Sequence, residues 1–452
     1  MNSNLPKVLH KVLDKPLISW VINTASSINS TKNIVVIGHK SEEIKAYFKT
    51  AKEQKAAGGL DFVLQEKQLG SGDAVKSAMG QIAEDFDGHI LVLCGDTPLL
   101  TKETILAMTQ AHLKAGNAAT ILTAIAENTF SYGRIKRDEM GNVLAIVEEK
   151  DADENERKIK EINSGVYCFK SRFLKKYIHK IEPNNAKKEY YLTDIIKLIN
   201  KAGGLVGTYI TSDFCEIFGI NDKVALAEAN KQMQARINKK FMLAGVNIEF
   251  ADTVFILGED AKIGKDTTIY PNTILKGDVE ISENCVLGPD TFIENSKIGK
   301  NTCIKYSYVS DSLIGQNVKI GPFSHIRPGT KIADDCKVGN FSEVKNSVLG
   351  KGSKVSHLSY IGDAELGKNV NVGAGTITCN YDGEKKYKTI IKDNVFIGSN
   401  TNLVSPVVIG ESSFIAAGST IYNDVPAKAL GIARSRQENK EQWLEKKNLK
   451  KK

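Results

Sequence analysis

The sequence predicts an α/β chain whose first half is an open sheet covered by helices, followed by a long helix and a parallel β-helix of hexapeptide repeats. Three observations predict it. Before residue 220, apolar strand-like runs alternate with amphipathic helical stretches. Residues 222–244 contain neither Pro nor Gly. From Leu257 onward, aliphatic residues return every six positions.

In the first half, strands are expected at Asn33–Gly38, Phe62–Leu64, His89–Leu93, Ala119–Ala124 and Gly165–Phe169. Helices are expected at Leu17–Ser27, Ser41–Ala51, Gly72–Ile82 and Lys102–Ala115. Strand–helix alternation implies a mostly parallel sheet covered on both faces, a Rossmann-like domain. Next, Val224, Met233, Ile237 and Phe241 are expected to line one face of a helix over Asp222–Ala244 that joins the two halves.

The repeats begin with Leu257, Ile263, Ile269, Leu275, Ile281, Leu287 and Ile293. They resume at Ile298 and Ile304, then at Ile314, Ile320, Ile326, Ile332, Val338 and Val344. Val355 and Ile361 continue the frame, and Ile397, Leu403, Ile409, Ile415 and Ile421 close it. A period of six fits neither a helix nor a simple alternating strand, but it fits a triangular coil with one hexad per face. The aliphatic side chain points inward, and Gly or Asn turns the following corner. About nine such coils are expected, stacked roughly 4.8 Å apart into a prism about 45 Å long.

Composition narrows the function classes. Apolar residues make up 41% and charged residues 25%, the balance of a globular protein. No apolar run is long enough to span a membrane and no apolar leader opens the chain, so a cytoplasmic protein is expected. Seven cysteines without a CxxC pair argue against a zinc ribbon or a disulfide framework, and most are expected to be small buried hydrophobes. The net charge of +8 owes much to Lys440, Lys446, Lys447, Lys450, Lys451 and Lys452 at the C-terminus. With no nucleic-acid motif, anionic small molecules are the expected partners.

Two regions carry candidate chemistry. Asp96 follows the strand that starts at His89, the end of an α/β sheet where ligands bind. There it suits Mg²⁺, which prefers oxygen ligands, or equally the N-cap of a helix starting near Pro98. The Gln65–Ala74 run reads as strand, glycine turn and helix, a backbone geometry that reaches a base or phosphate. In the second half, polar residues interrupt the frame. Arg327, Lys345, His357, Tyr360, Asn371, Ala374 and Cys379–Gly383 fall on neighbouring coils and are expected to converge on one groove. His357 suits proton removal from an attacking amine, and Arg327 and Lys345 suit a phosphate. The Asp382–Thr389 segment breaks the hexad frame, as a loop projecting from the prism would.

These motifs together resemble a known family. They are LPKVLH (Leu5–His10), QLGSGDA (Gln68–Ala74), LCGDTPL (Leu93–Leu99), YGRI (Tyr132–Ile135), EYYLTDII (Glu189–Ile196), SHLSYIGD (Ser356–Asp363) and NVGAGTITCNYDG (Asn371–Gly383). With Glu161–Gly165, they resemble the bacterial bifunctional N-acetylglucosamine-1-phosphate uridyltransferase/glucosamine-1-phosphate N-acetyltransferases along essentially the whole chain. The resemblance implies a nucleotidyltransferase domain at 1–221, a linker helix at 222–245 and a left-handed β-helix acetyltransferase domain with a basic tail at 246–452. It implies acetylation of glucosamine-1-phosphate by acetyl-CoA, then UMP transfer from UTP to give UDP-N-acetylglucosamine and pyrophosphate.

By motif position, the resemblance implies that Lys7, Gln65, Gly70, Ser71, Gly133, Glu148, Asn163 and Asn221 bind the nucleotide sugar. Asp96 and Asn221 would hold Mg²⁺. Arg327, Lys345, Tyr360 and Asn371 would surround the sugar phosphate, with His357 as general base. Ala374, Asn380, Tyr381, Ser399, Ala417 and Arg434 would line the sugar or acetyl-CoA site, shared between prisms of a homotrimer. Ser71 stands where the family has threonine and keeps the hydroxyl.

Family members open with a strand and a glycine-rich loop of the type LAAGxGTRM, whereas this sequence starts at Met1-Asn-Ser-Asn-Leu-Pro-Lys7. Those pieces are expected to lie upstream of the residues given. Without them, acetyl transfer alone is the alternative. A non-catalytic β-helix scaffold is a further one, and sugar-1-phosphate adenylyl- or thymidylyltransferases have no use for His357 beside Asn371–Gly383.

Overall fold

The computed structural model describes residues 1–49, 59–129, 131–258 and 260–447. It divides into two compact units, Met1–Met233 and Gln234–Lys452.

In the first unit the strands longer than two residues are β1 (Asn33–Ile37), β2 (Leu60–Leu64), β3 (His89–Val92), β4 (Ala119–Ile125), β5 (Arg134–Arg137), β6 (Val143–Val147), β7 (Glu161–Lys170) and β8 (Val206–Ile210). The helices are α1 (Leu17–Ser27), α2 (Ser41–Phe48), α3 (Ser71–Ala78), α4 (Lys102–Ala115), α5 (Ser171–Ile178) and α6 (Asp194–Lys201). The expected extension of α2 to Ala51 lies outside the described residues.

The expected mostly parallel sheet is corrected in two ways. The main sheet runs β8-β4-β7-β5-β6, with β3 paired to the second half of β7, and only β8–β4 is parallel within it. Strands β1 and β2 pair in parallel in a sheet of their own. The sequence reading found only the apolar half of β7. Its first half, Glu161–Ser164, carries polar residues that read as loop. The β5/β6 hairpin was also missed, because Arg134 looks like a surface residue. In the fold it is 2% exposed and ion-paired with Glu149. Asp138 closes that hairpin, its Oδ1 accepting from the Met140 and Asn142 N–H groups.

Helix α7 (Lys223–Leu243) forms where expected, but the two units divide inside it. Met233, Ile237 and Phe241 are buried, whereas Val224 is 79% exposed. Val224 lies nine residues before Met233, which at about 100° per residue is half a turn away.

Among the described residues, the second unit is a parallel β-helix with three sheets of 11, 10 and 9 strands. One interior ladder runs Ile269, Leu287, Ile304, Ile320, Val338, Val355, Val372, Ile397 and Ile415. A second runs Ile256, Leu275, Ile293, Val309, Ile326, Val344 and Ile361. Leu257, expected inside, is half-buried. Ile256 holds the inward position at 1% exposure, because this first coil has an extra residue before Leu275. Most corners place Asn, Asp or Gly in the left-handed backbone region, which these residues enter at least cost. Their side chains form ladders of their own, as from Asn301 to Asn317 (3.1 Å) and on to Asp335 (3.0 Å). Between Leu366 and Ile391 one coil takes seven residues more than usual, the loop expected at Asp382–Thr389.

The burial pattern of α7 predicts that Met233→Ala lowers unfolding stability by about 2–5 kcal/mol, while Val224→Ala changes it by less than about 0.5 kcal/mol. Urea denaturation of the two variants measures this; equal losses would contradict the assignment of the buried face.

Candidate functional site

The site residues of the first unit fall into three groups. In the first, Gln65 Nε2 donates to the Gly70 carbonyl (3.2 Å) and to Asp73 (2.8 Å). Gly70 has φ +116°, and a Cβ there would lie 2.6 Å from the Tyr190 carbonyl oxygen, so only glycine fits this turn. Ser71 Oγ accepts from the Leu192 N–H at 3.1 Å.

In the second group the Asn163 N–H donates to the Gly133 carbonyl (2.8 Å). Its side chain, 7% exposed, donates to the Tyr167 hydroxyl (2.8 Å). A Cβ at Gly133 would lie 3.5 Å from Glu148. Burial pushes the Glu148 carboxyl above its usual range, opposed by the Thr193 hydroxyl, which donates to it at 3.1 Å. The Tyr190–Thr193 segment therefore touches both groups.

The third group is Lys7, Asp96 and Asn221. The Lys7 ammonium lies 2.5 Å from Asp96 Oδ2 and 2.6 Å from Asn221 Oδ1. Tyr132, next to Gly133, ties this group to the second: its hydroxyl donates to Ile217 O (3.1 Å) and accepts from the Gly219 N–H (3.1 Å). Asp96 is not a helix N-cap. Helix α4 starts at Lys102, and Thr101 caps it by accepting from Thr104 N–H at 3.2 Å. Instead, Asp96 and Asn221 aim two oxygens at one point, where a cation already stands. That donor set fits a hard divalent ion as well as an ammonium.

In the β-helix, Arg327 and Lys345 point outward from adjacent strands of one face. Arg327 pairs with Glu343 at 2.6 Å. The Lys386 ammonium, and then Arg327, hold Lys345 below the usual lysine range. Three cations thus crowd together, with Glu343 and Asp363 as neighbouring anions. Asn380, 7% exposed, donates to Asp363 at 2.5 Å. Tyr381 is exposed and bridges across the loop to Lys386.

His357 ends the strand Lys354–His357 at the corner leading to Tyr360. Its Nδ1 lies 2.6 Å from the Asn340 side-chain oxygen, one coil earlier. An amide oxygen only accepts, so in the neutral ring Nδ1 carries the proton and Nε2 keeps its lone pair. From this corner the chain continues coil by coil: Gly375 N–H donates to Leu358, Asn400 N–H to Ala374, and Gly418 N–H to Ser399. Ala374, Ser399 and Ala417 therefore stack along one edge, and Arg434 reaches over Gly418. Asn371 is not brought into the groove within one chain. It lies on the same face as the Lys354–His357 strand, between Lys354 and Phe396, about 10 Å along the strand from the position level with His357.

Sequence reasoning missed Lys386, Glu343, Thr193 and Asn340. Asn340 carried a signal, lying one coil's spacing before His357. Lys386 carried none, since it sits in the loop that leaves the frame.

A nucleotidyl transferase family model matches residues 2–233, and a bacterial transferase hexapeptide (six repeats) model matches residues 260–295, 311–346 and 388–423. The bifunctional protein GlmU of Geobacillus thermodenitrificans is 48% identical over 452 residues, covering 100% of this chain and 96% of that protein. GlmU of Heliobacterium modesticaldum is 48% identical over 448 residues, 99% of this chain and 96% of the relative. GlmU of Bacillus velezensis is 48% identical over 452 residues, with coverage of 100% and 96%.

The raised Glu148 carboxyl gives a pH prediction. A carboxyl whose folded pKa is raised adds stability below its unfolded value, about 4.3 for Glu, and that stability is lost as pH rises through the folded value. Glu148→Gln keeps an acceptor for Thr193 and removes the buried charge. Above that window its melting temperature is expected to exceed the parent's; thermal melts across pH check this, and a lower value for Glu148→Gln would count against it.

Proposed function

The chain belongs to the family of bifunctional GlmU proteins, a nucleotidyltransferase domain joined to a hexapeptide-repeat domain, and on that premise we propose two consecutive reactions. The β-helix transfers the acetyl group of acetyl-CoA to the amine of glucosamine-1-phosphate. The first unit then joins UMP from UTP to N-acetylglucosamine-1-phosphate, releasing pyrophosphate. The observation that carries this reading is His357, held at 2.6 Å by Asn340 on the prism that bears the Arg327–Lys345–Lys386 cluster.

In this reading the three cations bind the sugar phosphate, whose charge relieves their mutual repulsion. His357 Nε2 takes a proton from the amine as nitrogen attacks the thioester carbonyl, Asn340 steadies the imidazolium that forms, and the C–S bond then breaks to release CoA, whose thiolate takes up the proton. Tyr360, Asn380 and Tyr381 orient the sugar. Ala374, Ser399, Ala417 and Arg434 form an edge of small residues ending in a cation, suited to acetyl-CoA and its phosphates. In the first unit, Gln65, Gly70 and Ser71 receive the base, and Gly133, Glu148 and Asn163 receive the sugar. Asp96 and Asn221 would hold Mg²⁺, which when bound neutralises phosphate charge. Lys7 would then turn its ammonium to the phosphates.

Self-association is supported by one corner of the prism. Tyr306, Phe323, Phe341 and Leu358 stand there at φ between +47° and +57°, where such side chains are disfavoured. They are 40–61% exposed, and the Tyr306–Phe323 and Phe323–Phe341 ring centroids lie 5.7 Å and 5.4 Å apart. We assign this apolar row to contact between copies in a homotrimer, which would also bring Asn371 of one copy to a neighbour's groove. No helix among the described residues is long and apolar enough to cross a membrane. UTP and acetyl-CoA as substrates support a cytoplasmic enzyme.

Acetyl transfer alone is a second reading, favoured by the separation of β1–β2 from the sheet that carries Asp96. Pyrophosphate release from UTP and N-acetylglucosamine-1-phosphate with Mg²⁺ decides between them: release supports both activities, and its absence from a folded chain leaves acetyl transfer only. His357→Ala should slow acetyl transfer about 10²–10⁴-fold. Asn340→Ala should lower kcat by a smaller factor with KM for acetyl-CoA little changed. A scaffold would lose nothing in either variant. Light scattering should give about three times 49.4 kDa, and Phe323→Glu with Phe341→Glu should reduce it; a monomeric parent chain would overturn the trimer.

A further inference from the structure

Outside both candidate sites, His89, His112 and Cys168 bring their donor atoms within 4.8 Å of one another. They come from three elements: His89 from the start of β3, His112 from the last turn of α4, and Cys168 from β7. His112 and Cys168 are 1% and 0% exposed, while His89 faces solvent. His89 Nδ1 and His112 Nε2 lie 2.9 Å apart, and His112 Nδ1 lies 2.9 Å from the Thr120 hydroxyl. Thr120 is the register partner of Cys168 across the β4–β7 pair, so the residue that orients His112 sits beside the thiol. Asn117 donates to Thr120 at 2.9 Å and fixes it in turn.

We propose that His89, His112 and Cys168 form a binding site for Zn²⁺. Two imidazole nitrogens and a sulfur are the donors a borderline-soft ion selects over Mg²⁺. With Zn–N about 2.0–2.1 Å and Zn–S about 2.3 Å, tetrahedral donors lie about 3.3–3.6 Å apart. That value falls between the present His–His separation and the 4.8 Å limit of the cluster. Small rotations of His89, the exposed member, suffice to close the difference. His112 would donate Nδ1–H to Thr120, the outer hydrogen bond that metal-ligating histidines make. Binding displaces the Cys168 thiol proton to solvent and leaves the fourth position to water on the His89 side. The Lys170 ammonium opposes a dication here and Asp87 favours one; both act on His89, and a thiolate offsets the former.

The test is titration of the metal-free full-length chain with Co²⁺, whose thiolate complexes show a charge-transfer band that oxygen-ligand sites lack. One Co²⁺ per chain with this band, bleached by one equivalent of Zn²⁺, is expected. Cys168→Ser should abolish the band. Because Cys168 is buried, exposed His89→Gln provides a second variant, expected to weaken Co²⁺ binding about tenfold or more. Absence of the band in the parent chain, its persistence in Cys168→Ser, or unchanged affinity in His89→Gln would each overturn the site.

Discussion

Parallel strands in the β-helix pair in register, so each inward side chain lies directly on its equivalent one coil away. Ile269, Leu287, Ile304 and Ile320 are such a column, and the rest of this unit depends on the stacking. Each of the three faces of a coil contributes one inward aliphatic side chain, which gives the six-residue period. The same stacking gathers outward residues 17 or 18 positions apart. Arg327 and Lys345 become neighbours by this rule, and so do Asn340 and His357.

The corners share that constraint. A tight turn needs left-handed backbone, and most corners meet it with Asn, Asp or Gly whose amides stack. One corner departs to aromatic and leucine side chains at Tyr306, Phe323, Phe341 and Leu358, then returns to Gly375, Asn400 and Gly418, which follow Ala374, Ser399 and Ala417 in the chain. In the proposed trimer the large side chains held outward in a disfavoured conformation would be covered by a second copy, and the small residues would let acetyl-CoA approach closely. The shift occurs beside His357, where in the proposed trimer contact between copies would give way to the groove.

The first unit is organised by cross-connections rather than repetition. Tyr190–Thr193 meets Ser71 on one side and Glu148 on the other, and Tyr132 joins Gly133 to the segment before Asn221. Gly70 lets the glycine turn pack directly against Tyr190. Buried polar groups such as Arg134 with Glu149 and Asn163 with Tyr167 hold this framework in one arrangement.

The sequence by itself determined the β-helix and the positions of most helices, because periodicity and local propensity are read within one segment. It also located Asp96 at a strand end. Tertiary structure alone decided the rest. Antiparallel β7, the burial of Arg134, the Lys7 ammonium between Asp96 and Asn221, Lys386 beside Lys345, and the meeting of His89, His112 and Cys168 all join segments far apart in the chain. No local pattern encodes such contacts, because each partner is satisfied only by the arrival of the other. Val224 and Leu257 make the same point on a small scale: each matched an apolar pattern, and the packing around it decided which face was inside.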